Sequence, residues 1–117
     1  MAKSPAGQFL DLINIMAYDA GNLGSTGFDP LESFNSQRAV WPNAAIALGV
    51  EVPPEAWGGN VVSLSDVQAY SQYVKNNGGR GMMIWSLQKR GEPSANSISH
   101  QICQAYNMEE CQVTLPF

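Results

Sequence analysis

Ile13-Asn14-Ile15-Met16-Ala17-Tyr18-Asp19 is an apolar run that rises into a Tyr-Asp pair and gives way at once to Ala20-Gly21-Asn22-Leu23-Gly24. Successive side chains of a β-strand point to opposite faces. Asn14, Met16 and Tyr18 therefore share one face, and Ile13, Ile15, Ala17 and Asp19 share the other. A strand that is apolar along its length and polar at its carboxyl end is how α/β proteins place chemistry, because that end opens into the loops that meet ligand. Taken alone, the stretch also reads as a buried strand whose last two residues simply start a turn.

Two more strands and three helices follow from periodicity and punctuation. The first strand is expected over Leu10 to Tyr18, and a long polar loop over Asp19 to Gly27. Long loops with little structure of their own are often functional. Asp29-Pro30-Leu31-Glu32 opens a helix: Asp29 can cap, Pro30 suits the first helical position, and Glu32 stands where a capping box puts its acid. Leu31, Phe34 and Trp41 supply the apolar face, and Pro42 stops it. Ala44 to Val52 is nearly continuous apolar sequence between prolines, as a strand covered on both faces would be. A helix from about Ser65 to Asn76 presents Leu64, Val67, Tyr70 and Val74 and ends at Asn77-Gly78-Gly79. The third strand is Gly81 to Leu87, closing on Trp85 and Ser86, and the last helix runs from Ser94 to Tyr106 with Ile98, Ile102 and Ala105 inward. The β-α-β-α-β-α alternation predicts a parallel sheet with right-handed crossovers, strands in the order first, second, third, and both outer strands open. Asp19, Glu51 and Ser86 should then lie at one common end.

Met16-Ala17-Tyr18-Asp19 and Gly81-Met82-Met83-Ile84-Trp85-Ser86, in that order and one βα unit apart, resemble the sixth- and eighth-strand signatures of family 18 glycoside hydrolases, the chitinases and their relatives. The resemblance extends from about Phe9 to Tyr106. It implies a partial (β/α)8 TIM barrel of three βα units, corresponding to strands 6 to 8, with residues 1–117 as the carboxyl-terminal fragment of the catalytic barrel. A complete barrel needs about 250 residues. In family 18 the substrate's own N-acetyl carbonyl is the nucleophile and a protein acid protonates the glycosidic oxygen, the substrate-assisted exception among retaining glycosidases. By resemblance, Tyr18 would hydrogen-bond the N-acetyl group, Asp19 would orient sugar or catalytic groups, and Met16 would line the pocket floor. Trp85 would stack beneath a sugar ring, whose C–H face a flat indole matches. Trp57, in a loop at the same predicted rim, reads as a packed anchor or as an outer sugar platform.

The fourth-strand motif of the family, D-x-x-D-x-D-x-E with the catalytic acid last, does not occur in the sequence. None of the ten acidic residues stands in that arrangement; Glu51, near a strand end, has no motif behind it. The expected function is thus a fragment of a chitinase acting on β-1,4-N-acetylglucosamine linkages, itself lacking the acid and inactive alone. The alternative is a non-catalytic chitin-oligosaccharide binder of lectin or effector type. A third reading is a truncated domain without ligand.

Composition bounds the rest. The 117 residues suffice for one domain, and 44% hydrophobic content with three tryptophans describes a chain that buries a core. A net charge of −4 with no cationic run argues against nucleic acid. No apolar run reaches the length of a membrane span. The start, Met1-Ala2-Lys3-Ser4-Pro5, has no apolar stretch behind it and does not read as a signal peptide, although the suspected parent would be extracellular. The partners expected are chitin or chitooligosaccharides, with self-association through open sheet edges, and no cofactor is called for. Cys103 and Cys111 are separated by a polar seven-residue segment. One disulfide tying the tail to the last helix is expected, with two unpaired thiols as the alternative; a zinc site would need more ligands than His100 adds. His100 reads as a surface histidine, and Lys89-Arg90 as a solvated pair.

Overall fold

The computed structural model describes residues 5–20, 27–57, 60–112, 114 and 116. After a 3-10 turn at Pro5–Phe9, the described residues form β1 (Leu12–Ile15), α1 (Pro30–Val40), β2 (Ala45–Glu51), α2 (Leu64–Asn76), β3 (Gly81–Trp85) and α3 (Ala95–Ala105). The sheet has the order β1-β2-β3 and both pairings are parallel. Ile13 stands opposite Ile46 and Ile15 opposite Leu48; on the other side of β2, Val50 meets Ile84 and Glu51 meets Trp85. The protein is a small compact α/β domain with an open sheet.

Each helix starts on an oxygen-bearing side chain that takes an otherwise orphaned backbone N–H. Asp29 accepts from the Leu31 N–H at 2.9 Å, one residue earlier than a capping box would have it, and Pro30 follows as the first helical residue. The reciprocal box forms at α2 instead. There Ser63 Oγ accepts from the Asp66 N–H at 3.1 Å and Asp66 accepts from the Ser63 N–H at 2.9 Å. Ser94 accepts from the Ser97 N–H at 3.2 Å to open α3.

All three helices pack against one face of the sheet. Ile15, Ala17, Ile46 and Leu48 meet Phe34 of α1 and Val74 of α2. Val50 and Val52 meet Val67 of α2 and Ala95 and Ile98 of α3, with Met82 and Ile84 of β3 alongside. Phe34, buried completely, sits edge-on to Tyr73 at 6.2 Å between centroids. Burial of one such side chain contributes about 1.5–3 kcal/mol, which makes this layer the source of the fold's stability. The opposite face carries Leu12, Asn14 and Met16 from β1 and its extension, Ala47, Gly49 and Glu51 from β2, and Met83 and Trp85 from β3. Among the described residues no helix lies on it, and Met16 and Trp85 are more than half exposed there. The shortest dimension of the molecule, 24 Å, is that of one sheet and one helix layer.

Several expectations are corrected. β1 is shorter than Leu10 to Tyr18, because the chain turns after Ile15 and the Ala17 N–H bonds back to the Ile15 carbonyl at 3.0 Å. β3 ends at Trp85 rather than Leu87. β2 is covered by helices on one face only; its near-continuous apolar sequence reflects alanine and glycine on the other face. Leu64 is not part of the α2 core face, being exposed at the first helical position, while Ser71 is fully buried and returns its hydroxyl to the Val67 carbonyl at 2.7 Å. Most of the loop expected over residues 19–27 lies outside the described residues, as do residues 1–4. Cys103 and Cys111 are joined by a disulfide. No helix of the described residues is long and apolar enough to cross a membrane.

Candidate functional site

The carboxyl ends of the three strands bring together residues that are far apart in sequence. Tyr18 and Asp19 follow β1, Glu51 ends β2, and Trp85 ends β3 directly opposite Glu51. Tyr18 reaches sideways onto β2, and glycine at position 49 permits it. A Cβ there would stand 3.1 Å from Tyr18 Cε1, 2.8 Å from Met83 Cε and 2.7 Å from the Ile15 carbonyl oxygen. The ring therefore lies over the strand two residues before Glu51, on the face without helices.

The loops at this end are tied together by carboxylates. Asp19, at a positive φ of 59° that aspartate tolerates better than most residues, donates its N–H to Glu55 Oε2 at 2.7 Å. Its side chain in turn accepts from the Trp57 N–H at 2.9 Å. Glu55 also takes the Asn60 amide at 2.8 Å. Asp19 thus holds the loop after β2 in place, besides standing beside Tyr18. On the far side, Lys89 donates to Glu51 Oε1 and to the Pro54 carbonyl, bridging the loops after β2 and β3. Those two loops touch backbone to backbone: a Cβ on Gly91 would fall 1.6 Å from the Pro53 carbonyl oxygen, so only glycine fits. The peptide bonds before Pro54, Ser86 and Pro93, all in this region, are cis.

Glu51 is 2% exposed. Its Oε1 is paired with Lys89, and its Oε2 is buried without a hydrogen-bond partner among the described residues. The Tyr18 phenol is pushed upward in pKa, first by desolvation and then by the negative charges of Glu51 and Asp19. It therefore remains a neutral hydrogen-bond donor through the physiological range. Around these polar groups stand flat apolar surfaces: Trp85 is 53% and Trp57 73% exposed. The set can stack a planar or ring-shaped ligand, donate a hydrogen bond from Tyr18, and accept hydrogen bonds at carboxylates. Among the described residues no group of three or more His, Cys, Asp or Glu side chains could hold a metal ion.

Of the residues singled out from sequence, Tyr18, Asp19 and Trp85 share this end of the sheet, and Met16 lies exposed on the same face, one residue past β1. Three expectations fail. Trp57 is not a packed anchor but an exposed indole whose backbone N–H is held by Asp19. Lys89 is not solvated with Arg90 but paired with a buried carboxylate, because the loop after β3 folds back over the end of β2. His100 is not a free surface histidine; Nδ1 hydrogen-bonds the Cys111 carbonyl, which the disulfide brings back beside α3. Sequence reasoning also missed Glu55. Its only sequence signal was a place in a Pro- and Gly-bounded loop.

Comparison with protein-family models, with curated proteins and with solved structures returned no match.

Proposed function

We propose that this chain forms one wall of a binding site for N-acetylglucosamine oligomers, as the counterpart of the last three βα units of a chitinase-like (β/α)8 barrel, and that it does not itself hydrolyse them. The observation that carries this reading is the convergence of two separate sequence signatures on one helix-free face. Tyr18, from the first, and Trp85, from the second, lie at the same end of parallel strands that flank Glu51. Sequential parallel strands with helices on a single face are also what a segment of a singly wound barrel has, whereas a doubly wound sheet carries helices on both. An exposed indole offers a platform for the C–H face of a pyranose, and the Tyr18 hydroxyl offers a donor for an N-acetyl carbonyl.

Binding is favoured over catalysis by the state of the carboxylates. Glu51 is held by Lys89, Asp19 by Trp57, and Glu55 by Asp19 and Asn60, so each serves structure already. The sequence has no D-x-x-D-x-D-x-E to supply the acid, and loss of a general acid typically costs about 10²–10⁴ in rate. Titration of the purified chain with tri-N-acetylchitotriose, followed by tryptophan fluorescence, should show weak binding that disappears in Trp85→Ala and weakens in Tyr18→Phe. A fluorogenic chitobioside should not be turned over. Absence of any binding refutes the sugar-site reading, and turnover lost in Tyr18→Phe refutes the non-catalytic one.

A further inference from the structure

An edge strand offers its backbone groups to any chain that can align with it, and soluble proteins usually blunt such edges with lysine, proline, a bulge or a covering helix. β1 shows none of these. Among the described residues no strand pairs with its outer side, and Leu12-Ile13-Asn14-Ile15 contains neither a charge nor a proline. The Asp11 carbonyl accepts from the Ala45 N–H at 2.9 Å. Successive residues of a parallel strand turn their backbone groups to opposite sides. Asp11, Ile13 and Ile15 therefore face β2, and Leu12 and Asn14 direct both N–H and C=O outward. Apolar side chains accompany this edge: Leu12 is 49% and Met16 71% exposed, and Phe9 and Leu10, also exposed, stand just before the strand. The outer edge of β3 differs. Its residues before Trp85 are half-buried, and α3, which follows it with the same right-handed winding, packs on it where Ile98 and Ile102 meet Ile84. α1, which follows β1, instead lies back over β2, Phe34 meeting Ile46 and Leu48.

We propose that the β1 edge is a contact between two copies of this chain, paired antiparallel about a two-fold axis through Asn14. This does not depend on the sugar-site reading. A two-fold axis normal to the sheet keeps like faces together, so it passes through a residue rather than between two. Centred on Asn14, the outward N–H and C=O of that residue exchange hydrogen bonds with their own counterparts, as in a closely bonded antiparallel pair. The two Asn14 side chains then stand opposite each other, each amide carrying both a donor and an acceptor for the other. Leu12 falls opposite Met16 of the second copy on the helix-free side, and Ile13 falls opposite Ile15 on the covered side, so every other cross-strand pair is apolar. Asp11 falls opposite Ala17, and no like charges meet. An axis through Ile13 would set Leu12 against the Asn14 amide instead. In the Asn14-centred pair the two three-stranded sheets join into one, with all helices on the same side. A pairing of this length buries less than the roughly 1,200–2,000 Å² of a standard interface, which places its dissociation constant at about tens of micromolar.

Sedimentation velocity of the 117-residue chain, from about 1 to 300 μM, should pass from monomer to dimer. Asn14→Lys sets two ammonium groups face to face across the axis and should raise the dissociation constant about tenfold or more. Asn14→Pro removes the outward N–H without touching the β1–β2 ladder; it should have the same effect and serves should the lysine variant not fold. Register is read by crosslinking. Both native cysteines are bridged, so a cysteine introduced into β1 is the single free thiol. In Asn14→Cys the two Cα atoms stand about 5.5 Å apart, within disulfide reach, and oxidised glutathione should convert the dimer to a covalent one. In Leu12→Cys the two positions are four residues out of register, about 13 Å along the strand, and no covalent dimer should form. A wild-type chain that stays monomeric at the highest concentration overturns the proposal. So does a dimer that folded Asn14→Lys and Asn14→Pro leave unweakened, or one that crosslinks as well through Leu12→Cys as through Asn14→Cys.

Discussion

Replacing Gly49 by alanine is a sharp test of how β1, Tyr18 and β2 are packed. The added Cβ would stand 2.7 Å from the Ile15 carbonyl oxygen, 2.8 Å from Met83 Cε and 3.1 Å from Tyr18 Cε1. The methionine methyl is the end of a flexible chain and can give way. The carbonyl belongs to the last residue of β1, whose register with Leu48 is set by the ladder, so relief there requires the strands to part by several tenths of an ångström. Overpacking of this kind costs about 1–3 kcal/mol. Against it stands the smaller entropy of the unfolded alanine chain, worth about 0.4–1 kcal/mol. The expected net loss is about 1–2 kcal/mol. Urea unfolding followed by tryptophan fluorescence would read this as a lower midpoint at an unchanged slope. Gly81→Ala is the internal control: a Cβ at that position meets nothing within 4 Å, so this variant should be neutral or slightly more stable. Equal stability of Gly49→Ala and Gly81→Ala would refute the close approach of β1 and Tyr18 to β2.

Two further outcomes are expected. Cys103→Ser with Cys111→Ser should lose about 2–3 kcal/mol, the loop-closure value for so short a loop, and should free His100 from the Cys111 carbonyl; a urea midpoint equal to that of the bridged protein would contradict this. The phenols of Tyr18, Tyr70 and Tyr106 are all shifted upward in pKa from the ordinary tyrosine value of 10.0, desolvation being the leading cause in each. The folded state therefore holds protons that the unfolded state has begun to release. Stability should be undiminished by these groups below pH 10 and fall as the pH rises beyond it, a loss that unfolding curves taken at successive alkaline pH values would measure. Tyr106→Phe should reduce that loss at no cost near neutrality, because its buried hydroxyl has no hydrogen-bond partner among the described residues; a clear destabilisation at neutral pH would show that the hydroxyl is engaged.

The strands, helices and their order were legible in the sequence because they rest on local causes. Asp29 with Pro30, Pro42, and Asn77-Gly78-Gly79 punctuate the chain where the structure begins or ends helices, and the β-α-β alternation forces parallel pairing through chirality alone. The convergence of Tyr18, Glu51 and Trp85 at one end follows from the same topology. Lengths were less legible. An apolar run does not announce that its backbone turns away after Ile15, since Met16 and Ala17 suit either path. What only the tertiary structure decided are contacts between loops more than thirty residues apart: Lys89 with Glu51, Asp19 with Glu55, and Trp57 with Asp19. Lys89 beside Arg90 looks solvated because charge on a loop defaults to water. It is drawn inward because β2 carries its carboxylate one position beyond Val50, onto the helix-free face, where a buried charge needs a counter-ion. The exposure of Trp57 and Trp85 was equally unreadable, since an indole favours both a core and a ligand platform. The choice between them depends on which face the helices cover, and that is settled by the packing of the whole sheet.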